Sequence, residues 1–330
     1  MAYFKQLDEQ LKQLTSLLNK DQRWLIMMNA DPDALASAMA LKRIISRRVE
    51  SVGIAQVNEI KRPDNLAMIQ YLRIPTRKLI PTFAAQYDKF ALVDSQPHHH
   101  SDFKQFDFSI VIDHHPTSKE HPVEADFVDV RPKYGSCASM LTEYLYNMKI
   151  KPARLLATAL FYGIKTDTSS FERDFVEADI SAFKYLNRYA DKGLLQRIMK
   201  SEFHLDWVRY FSKAFYNMRR MGKGAAAHMG KVESPDILVI VADFFMRVHE
   251  MPWNVISGEY DDQLIIIFRG DGLRKDMGKY AQMLFDELGS AGGHRGAARA
   301  EIPIEALDGE DPEIFMLKKL GRGQTRFKRI

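Results

Sequence analysis

The stretch Arg23-Trp24-Leu25-Ile26-Met27-Met28-Asn29-Ala30-Asp31-Pro32-Asp33-Ala34-Leu35-Ala36-Ser37 passes from an apolar run through an acidic turn into small and apolar residues. A short apolar run bounded by turn-forming residues is the pattern of a strand buried on both faces, as in a parallel sheet covered by helices. Two further runs behave the same way: residues 90–93 lead into Asp94, and 108–112 lead into Asp113-His114-His115. Helix-like segments at 34–48 and 136–147 alternate with these strands. That alternation predicts a doubly wound, parallel-sheet α/β domain over residues 1–185. Ahead of the first strand, Phe4, Leu7, Leu11, Leu14 and Leu18 recur every three or four residues among polar ones, which predicts an amphipathic helix lying on the sheet.

Beyond this domain, aromatic and aliphatic residues recur among charges without strand-like alternation, which predicts a helical connector over 186–224. Residues 222–230, rich in glycine and alanine, read as a boundary loop. A smaller α/β domain is expected over 225–330. Its strands are predicted at 237–242 and 264–268, its helix at 277–288, and a glycine-rich turn at 289–296 leads to a last strand at 300–304.

A chain of 330 residues has room for two domains, and its 46% hydrophobic and 27% charged residues exclude a fibrous or wholly disordered protein. No apolar stretch approaches the roughly 20 residues that cross a bilayer. The first twenty residues mix apolar with charged ones, so a cytoplasmic protein without membrane association is expected. One cysteine, Cys137, excludes an intramolecular disulfide and a thiolate metal cluster. With 47 basic and 43 acidic residues the net charge is +4, too slight for a long nucleic-acid partner but suited to small anions. The basic run at 318–329 reads as a solvated tail.

The acidic residues at the strand ends carry the chemistry. Residues i and i+2 of an extended segment point to one side, so Asp31 and Asp33 can face one pocket. In an open α/β sheet the carboxyl ends of parallel strands border the ligand crevice. Asp31, Asp33, Asp94, Asp113, His114 and His115 therefore converge from three strands, and Asp167, beside Thr166 and Thr168, adds a fourth element. Carboxylates mixed with imidazoles suit a hard or borderline divalent metal such as manganese, as one ion or two. His98-His99-His100 follows Pro97 in an extended loop whose successive side chains point in different directions, so it is expected to be exposed and to take no part.

These motifs resemble the DHH phosphoesterase family: D-P-D-A-L-A-S at 31–37, V-D-S at 93–95, D-H-H at 113–115 and K-T-D-T at 165–168, in the family's order. G-G-H-R-G-A-A-R at 292–299 resembles the family's associated C-terminal domain. The resemblance implies that Asp33, Asp94, His114 and Asp167 hold one metal, with Asp94 bridging to a second beside Asp31. It assigns His115 to the substrate phosphate, Asp113 to orienting its neighbours, and Arg269, Gly292, Gly293 and His294 to substrate binding. It implies a hydrolase of short oligonucleotides, linear dinucleotides or nucleotide phosphomonoesters, resembling the oligoribonuclease and 3'-phosphoadenosine 5'-phosphate phosphatase branch. The partner would be such a small nucleotide, and a homo-oligomer is compatible with it. Where the family's first motif begins with a metal-binding histidine, this chain has Met27, a poor ligand for manganese. That departure keeps two alternatives open: a nucleotide-binding regulator with weakened catalysis, and a hydrolase of inorganic polyphosphate.

Overall fold

The structure, a computed structural model, describes residues 3–201 and 203–321 and the main chain of 328–329. The chain divides into two compact units, Met1–Glu202 and Phe203–Ile330.

The first unit contains strands β1 (Arg23–Met28), β2 (Ser51–Gln56), β3 (Thr76–Lys78), β4 (Lys89–Val93), β5 (Phe108–Asp113) and β6 (Phe127–Val130). Its helices are α1 (Asp8–Ser16), α2 (Pro32–Ile45), α3 (Pro63–Leu72), α4 (Pro81–Ala84), α5 (Cys137–Asn147), α6 (Arg154–Asp167), α7 (Glu177–Leu186) and α8 (Lys192–Met199). The strands run in the order β3-β2-β1-β4-β5-β6 and every pairing is parallel. The doubly wound α/β expectation is therefore met. The order reverses between β1 and β4, and it is outside the strand ends at such a switch point that a crevice opens.

Alternation along β1 sorts its side chains between two cores. Trp24, Ile26 and Met28 pack with α2, α5 and α6 on one face, while Leu25 and Met27 pack with Ala55, Leu92 and Val111 on the other. Helix α2 begins on a strong signal, with Asp31 as N-cap accepting the Ala34 N–H at 2.9 Å and Pro32 in the first turn. Its small residues let α6 approach closely. A Cβ on Gly163 of α6 would stand 3.1 Å from Asp33 Cα and 3.2 Å from the Pro32 carbonyl oxygen, so a larger residue there would press on the start of α2.

The second unit contains α9 (Val208–Asn217), β7 (Arg219–Met221), β8 (Gly224–Lys231), α10 (Pro235–Phe245), β9 (Trp253–Tyr260), β10 (Gln263–Gly270), α11 (Met277–Phe285), β11 (Ser290–Gly293), β12 (Ala297–Pro303), α12 (Pro312–Leu320) and β13 (Lys328–Arg329). Its sheet runs β11-β12-β10-β9-β8-β7-β13. Three local expectations are corrected here. Residues 237–242 are helical, because Ser234 caps α10, Pro235 and Asp236 occupy its first turn, and Ile237, Leu238, Val241, Ala242 and Phe245 form one buried stripe; these start signals outweigh β-branched composition. The glycine- and alanine-rich 222–230 is mostly strand β8, whose Gly224 lies under the Trp253 ring, 2.2 Å from where a Cβ would be. Residues 290–293 of the expected turn are strand β11, paired with β12. The basic run at 318–329 lies largely outside the described residues.

Candidate metal centre

At the switch point the site is built from loop and helix ends. Asp33, in the first turn of α2, is fully buried, and its carboxylate accepts the main-chain N–H groups of Cys137 at 2.6 Å and Ala138 at 2.7 Å, at the start of α5. Exposed amides and the helix dipole at such a terminus favour an anion. Asp94 directly follows β4 with φ +55°, an uncommon conformation for a residue with a Cβ, while its N–H still pairs with the Ile112 carbonyl at 2.9 Å. His114 follows β5. Its Nδ1 stands 3.0 Å from the Tyr134 carbonyl oxygen, which fixes the ring and turns Nε2 toward the carboxylates.

Three aspartates surround that nitrogen. His114 Nε2 is 3.0 Å from Asp167 Oδ2, 3.4 Å from Asp94 Oδ1 and 4.0 Å from Asp33 Oδ2. One ligand atom each from Asp33, His114 and Asp167 lies within 4.8 Å of the others, as does one each from Asp94, His114 and His115. The cluster brings together residues from the ends of α2, β4 and α6 and from the loop after β5. Asp31 belongs to neither grouping, and its Oδ1 caps α2. Met27 is fully buried in the core beneath the sheet and contributes nothing to the cluster.

Electrostatics show what the cluster lacks. Burial, followed by the charge of Asp167, pushes the Asp33 carboxyl up to about 8. Burial, followed by the charges of Asp33, Asp31 and Asp167, holds Asp94 well above the usual carboxylate range. Burial also raises Asp31. Burial alone would lower His114, but Asp167 and Asp33 outweigh it and hold the imidazole up at about 9. These are the directions expected of carboxylates crowded without enough positive charge. Asp94 Oδ1 and His114 Nε2 are buried with no hydrogen-bond partner, the short His114–Asp167 approach being misaligned for one. Ligands at cis positions around a divalent ion at about 2.1 Å stand roughly 3 Å apart, so these donors have the chemistry and spacing to hold one.

Asp113 is also fully buried but differently served. Burial would raise it, yet hydrogen bonds from His115 and Gln96 hold it below its ordinary value. His115 Nδ1 donates to Asp113 Oδ1 at 2.8 Å, and Gln96 Nε2 donates to Asp113 Oδ2 at 2.8 Å. The bond to Asp113 is the main cause that raises His115, whose side chain is 45% exposed at the mouth of the cluster.

His99 is exposed, as expected of His98-His99-His100, and it also touches a residue of the cluster. Its ring stands edge-on to His115, centroids 5.5 Å apart at 83°, and its Nδ1 accepts the Gln96 N–H at 3.2 Å. Sequence reasoning missed this contact. The signal was Gln96-Pro97-His98-His99 itself, since proline in the second place of a four-residue turn folds the fourth residue back on the first.

With this geometry in place, comparison with known proteins shows what the chain is similar to. Residues 23–164 match the DHH family, N-terminal domain. The matched segment takes in β1 to β6 of the first unit and most of α6. The chain is 35% identical over 282 residues to Uncharacterized protein MJ1633 of Methanocaldococcus jannaschii, covering 85% of this chain and 57% of that protein. It thus spans little more than half the length of the curated relative it matches. An exopolyphosphatase-related protein from Bacteroides fragilis has a similar fold, with TM-score 0.71 and 14% identity, covering 97% of this chain and 98% of that one. The acidic cluster lies within and just beyond the DHH domain match, Asp167 following its last matched residue.

In the second unit the expected substrate residues are separately placed. Arg269, at the end of β10, donates from Nε to Asp243 Oδ1 at 2.6 Å and from Nη1 to the Phe268 carbonyl at 3.1 Å. Gly293 has φ +150°, and a Cβ there would stand 2.3 Å from the Ala297 carbonyl oxygen, so the β11–β12 turn requires glycine. Gly292 faces open space. The exposed His294 donates its N–H to the Ala297 carbonyl at 2.8 Å, and its own carbonyl accepts the Gly278 N–H at 3.0 Å, tying the turn to the start of α11. Among the described residues, no helix is long and apolar enough to cross a membrane.

Proposed function

We propose that the protein is a metal-dependent phosphoesterase whose site is the acidic cluster of the DHH domain. The observation that carries this reading is the pair Asp94 Oδ1 and His114 Nε2, buried without hydrogen-bond partners among carboxylates that burial and mutual repulsion drive toward protonation. A divalent cation would relieve both conditions at once. Asp33, Asp94, His114 and Asp167 would hold it, and manganese suits this oxygen and imidazole set. When bound, such an ion supplies Lewis acidity toward a phosphoryl oxygen and lowers the pKa of water.

The chain's own residues would do the rest. Asp33 is held against the start of α5, so its carboxylate does not need to reorganise when the substrate arrives. His115, braced by Asp113, would face the phosphate and neutralise charge as it develops on the phosphoryl oxygens. The slight net charge suits small nucleotides: short oligonucleotides, linear dinucleotides or nucleotide phosphomonoesters. In the second unit, His294, Gly292, Gly293 and the remaining N–H groups of Arg269 would bind nucleotide. Turnover of a panel of dinucleotides, a nucleotide phosphomonoester and inorganic polyphosphate, with manganese and then with chelator, tests the reading. Metal-dependent release of phosphate or mononucleotide from a nucleotide is expected. Turnover of polyphosphate alone would replace the substrate, and binding without any turnover would favour a regulator.

A further inference from the structure

The loop from Asp94 to His100 carries three imidazoles that the DHH reading leaves unused, and one of them, His99, meets the ring of His115. Gln96-Pro97-His98-His99 closes into a turn at both ends: the His99 N–H donates to the Gln96 carbonyl at 2.9 Å, and the Gln96 N–H donates to His99 Nδ1 at 3.2 Å. Accepting at Nδ1 leaves the ring proton on Nε2, so His99 is set up as a donor at its outer nitrogen. Ser95 Oγ lies 3.4 Å from the same Nδ1, which further occupies that side of the ring.

The Gln96 side chain fixes the other half of the arrangement. It is fully buried, and Nε2 donates to Asp113 Oδ2 at 2.8 Å while also reaching the His115 carbonyl at 3.3 Å and the Pro116 carbonyl at 3.2 Å. One residue therefore sets His99 through its main chain and, by way of Asp113, His115 through its side chain. The two rings meet edge to face at the exposed rim, and behind them His115 Nδ1 is 4.0 Å from Asp94 Oδ1. An anion approaching a cluster of carboxylates needs donors on its open side, and these two rings are placed there. His99, Asp113 and His115 are close enough to suggest a separate metal group. The hydrogen bonds already made by Asp113 and by His99 Nδ1 argue for hydrogen-bonding roles instead.

We propose that His99 and His115 form a two-imidazole clamp for a phosphate group, His99 donating through Nε2, with Gln96 as the positioning residue for both. The proposal rests on the phosphoesterase reading of the neighbouring cluster. The test uses the full chain loaded with manganese, titrated calorimetrically with inorganic phosphate, comparing the parent with H99F, H99Q and H98F. H99F keeps a ring without a donor, and H99Q returns an amide donor near the Nε2 position. Loss of one such hydrogen bond is expected to weaken phosphate about tenfold in H99F. H99Q should recover most of that loss, H98F should match the parent, and manganese affinity should be the same in all four. A phosphate affinity in H99F within twofold of the parent, or a parallel loss of manganese, overturns the clamp, as does a parent that binds no phosphate. Hydrolysis of bis(p-nitrophenyl) phosphate by the same samples separates the two claims: a parent that binds phosphate but turns nothing over sinks the phosphoesterase reading, while the titrations still decide the clamp.

Discussion

Asp33 accepts the main-chain N–H of Cys137 at 2.6 Å across 104 residues of chain, so a carboxylate in the first turn of one helix is held by the first turn of another. The same carboxylate takes the Ala138 N–H through its second oxygen. Both oxygens are thus fixed before any ligand arrives, and burial together with Asp167 still drives the carboxyl up to about 8.

A pH dependence follows for chelator-treated protein. The Asp33 pKa is raised in the folded state above its ordinary value near 3.8, so its contribution is fully present below that value and is lost as pH rises through about 8. His114, raised from 6.5 to about 9, acts in the same direction over the upper part of that window. The melting temperature of the chelated protein should therefore fall between pH 5 and 8.5. Manganese should reverse the trend, because the ion replaces the protons. A chelated melting curve that is flat or rises over this range would show that the carboxylates are not crowded as described.

Asp94→Asn should separate stability from function. Asparagine keeps the shape and accepts positive φ readily, yet removes one charge from the repelling group. Chelated protein is expected to melt higher than the parent above pH 7, manganese binding to weaken, and phosphoester turnover to fall by several powers of ten. Undiminished turnover at limiting manganese would remove Asp94 from the proposed site.

Gly163→Ala offers a subtler test. In an open helix position alanine is worth up to about 1 kcal/mol over glycine. Here the added methyl would stand 3.1 Å from Asp33 Cα and 3.2 Å from Asp33 Oδ1. We expect no gain in stability and a manganese affinity at least fivefold weaker, read by calorimetry. A stabilised variant with parental affinity would mean that the α2–α6 crossing gives way without disturbing Asp33.

Met27→His should not add a ligand. Met27 is fully buried among Leu25, Ala55, Leu92 and Val111, so an imidazole there would lack hydrogen-bond partners in that core, at a cost of about 1–3 kcal/mol. The variant is expected to melt lower with unchanged manganese stoichiometry. A tighter or additional manganese site would show that the side chain can turn toward the cluster.

The first unit was legible because its strands are buried on both faces and end abruptly in acid: the run before Asp31, Asp94 and Asp113 could hardly be anything else. Their convergence followed from the parallel order. The second unit was harder. Residues 237–242 have strand-like composition, and only the Ser234-Pro235-Asp236 start signal marks them as α10. Residues 222–230 resemble a loop because glycine and alanine there make room for the Trp253 ring, a contact invisible until the fold is known. The contact of His99 with His115 is hidden in the sequence because it depends on a turn that folds His99 back onto Gln96. The rise in Asp33 was equally hidden, since it arises from burial and from Asp167, far along the chain.

The wide spacing of the acidic cluster also bears on how the protein is made. Asp31 and Asp33 leave the ribosome early, but the amides that hold Asp33 belong to Cys137 and Ala138, and Asp167 comes later still. Throughout most of the synthesis of this unit the nascent chain exposes carboxylates that have no geometry with which to hold an ion. In the proposed site, selective capture of a cation would thus be deferred until α6 has been completed and docked, which would make a filled site a certificate that the chain has folded as far as Asp167.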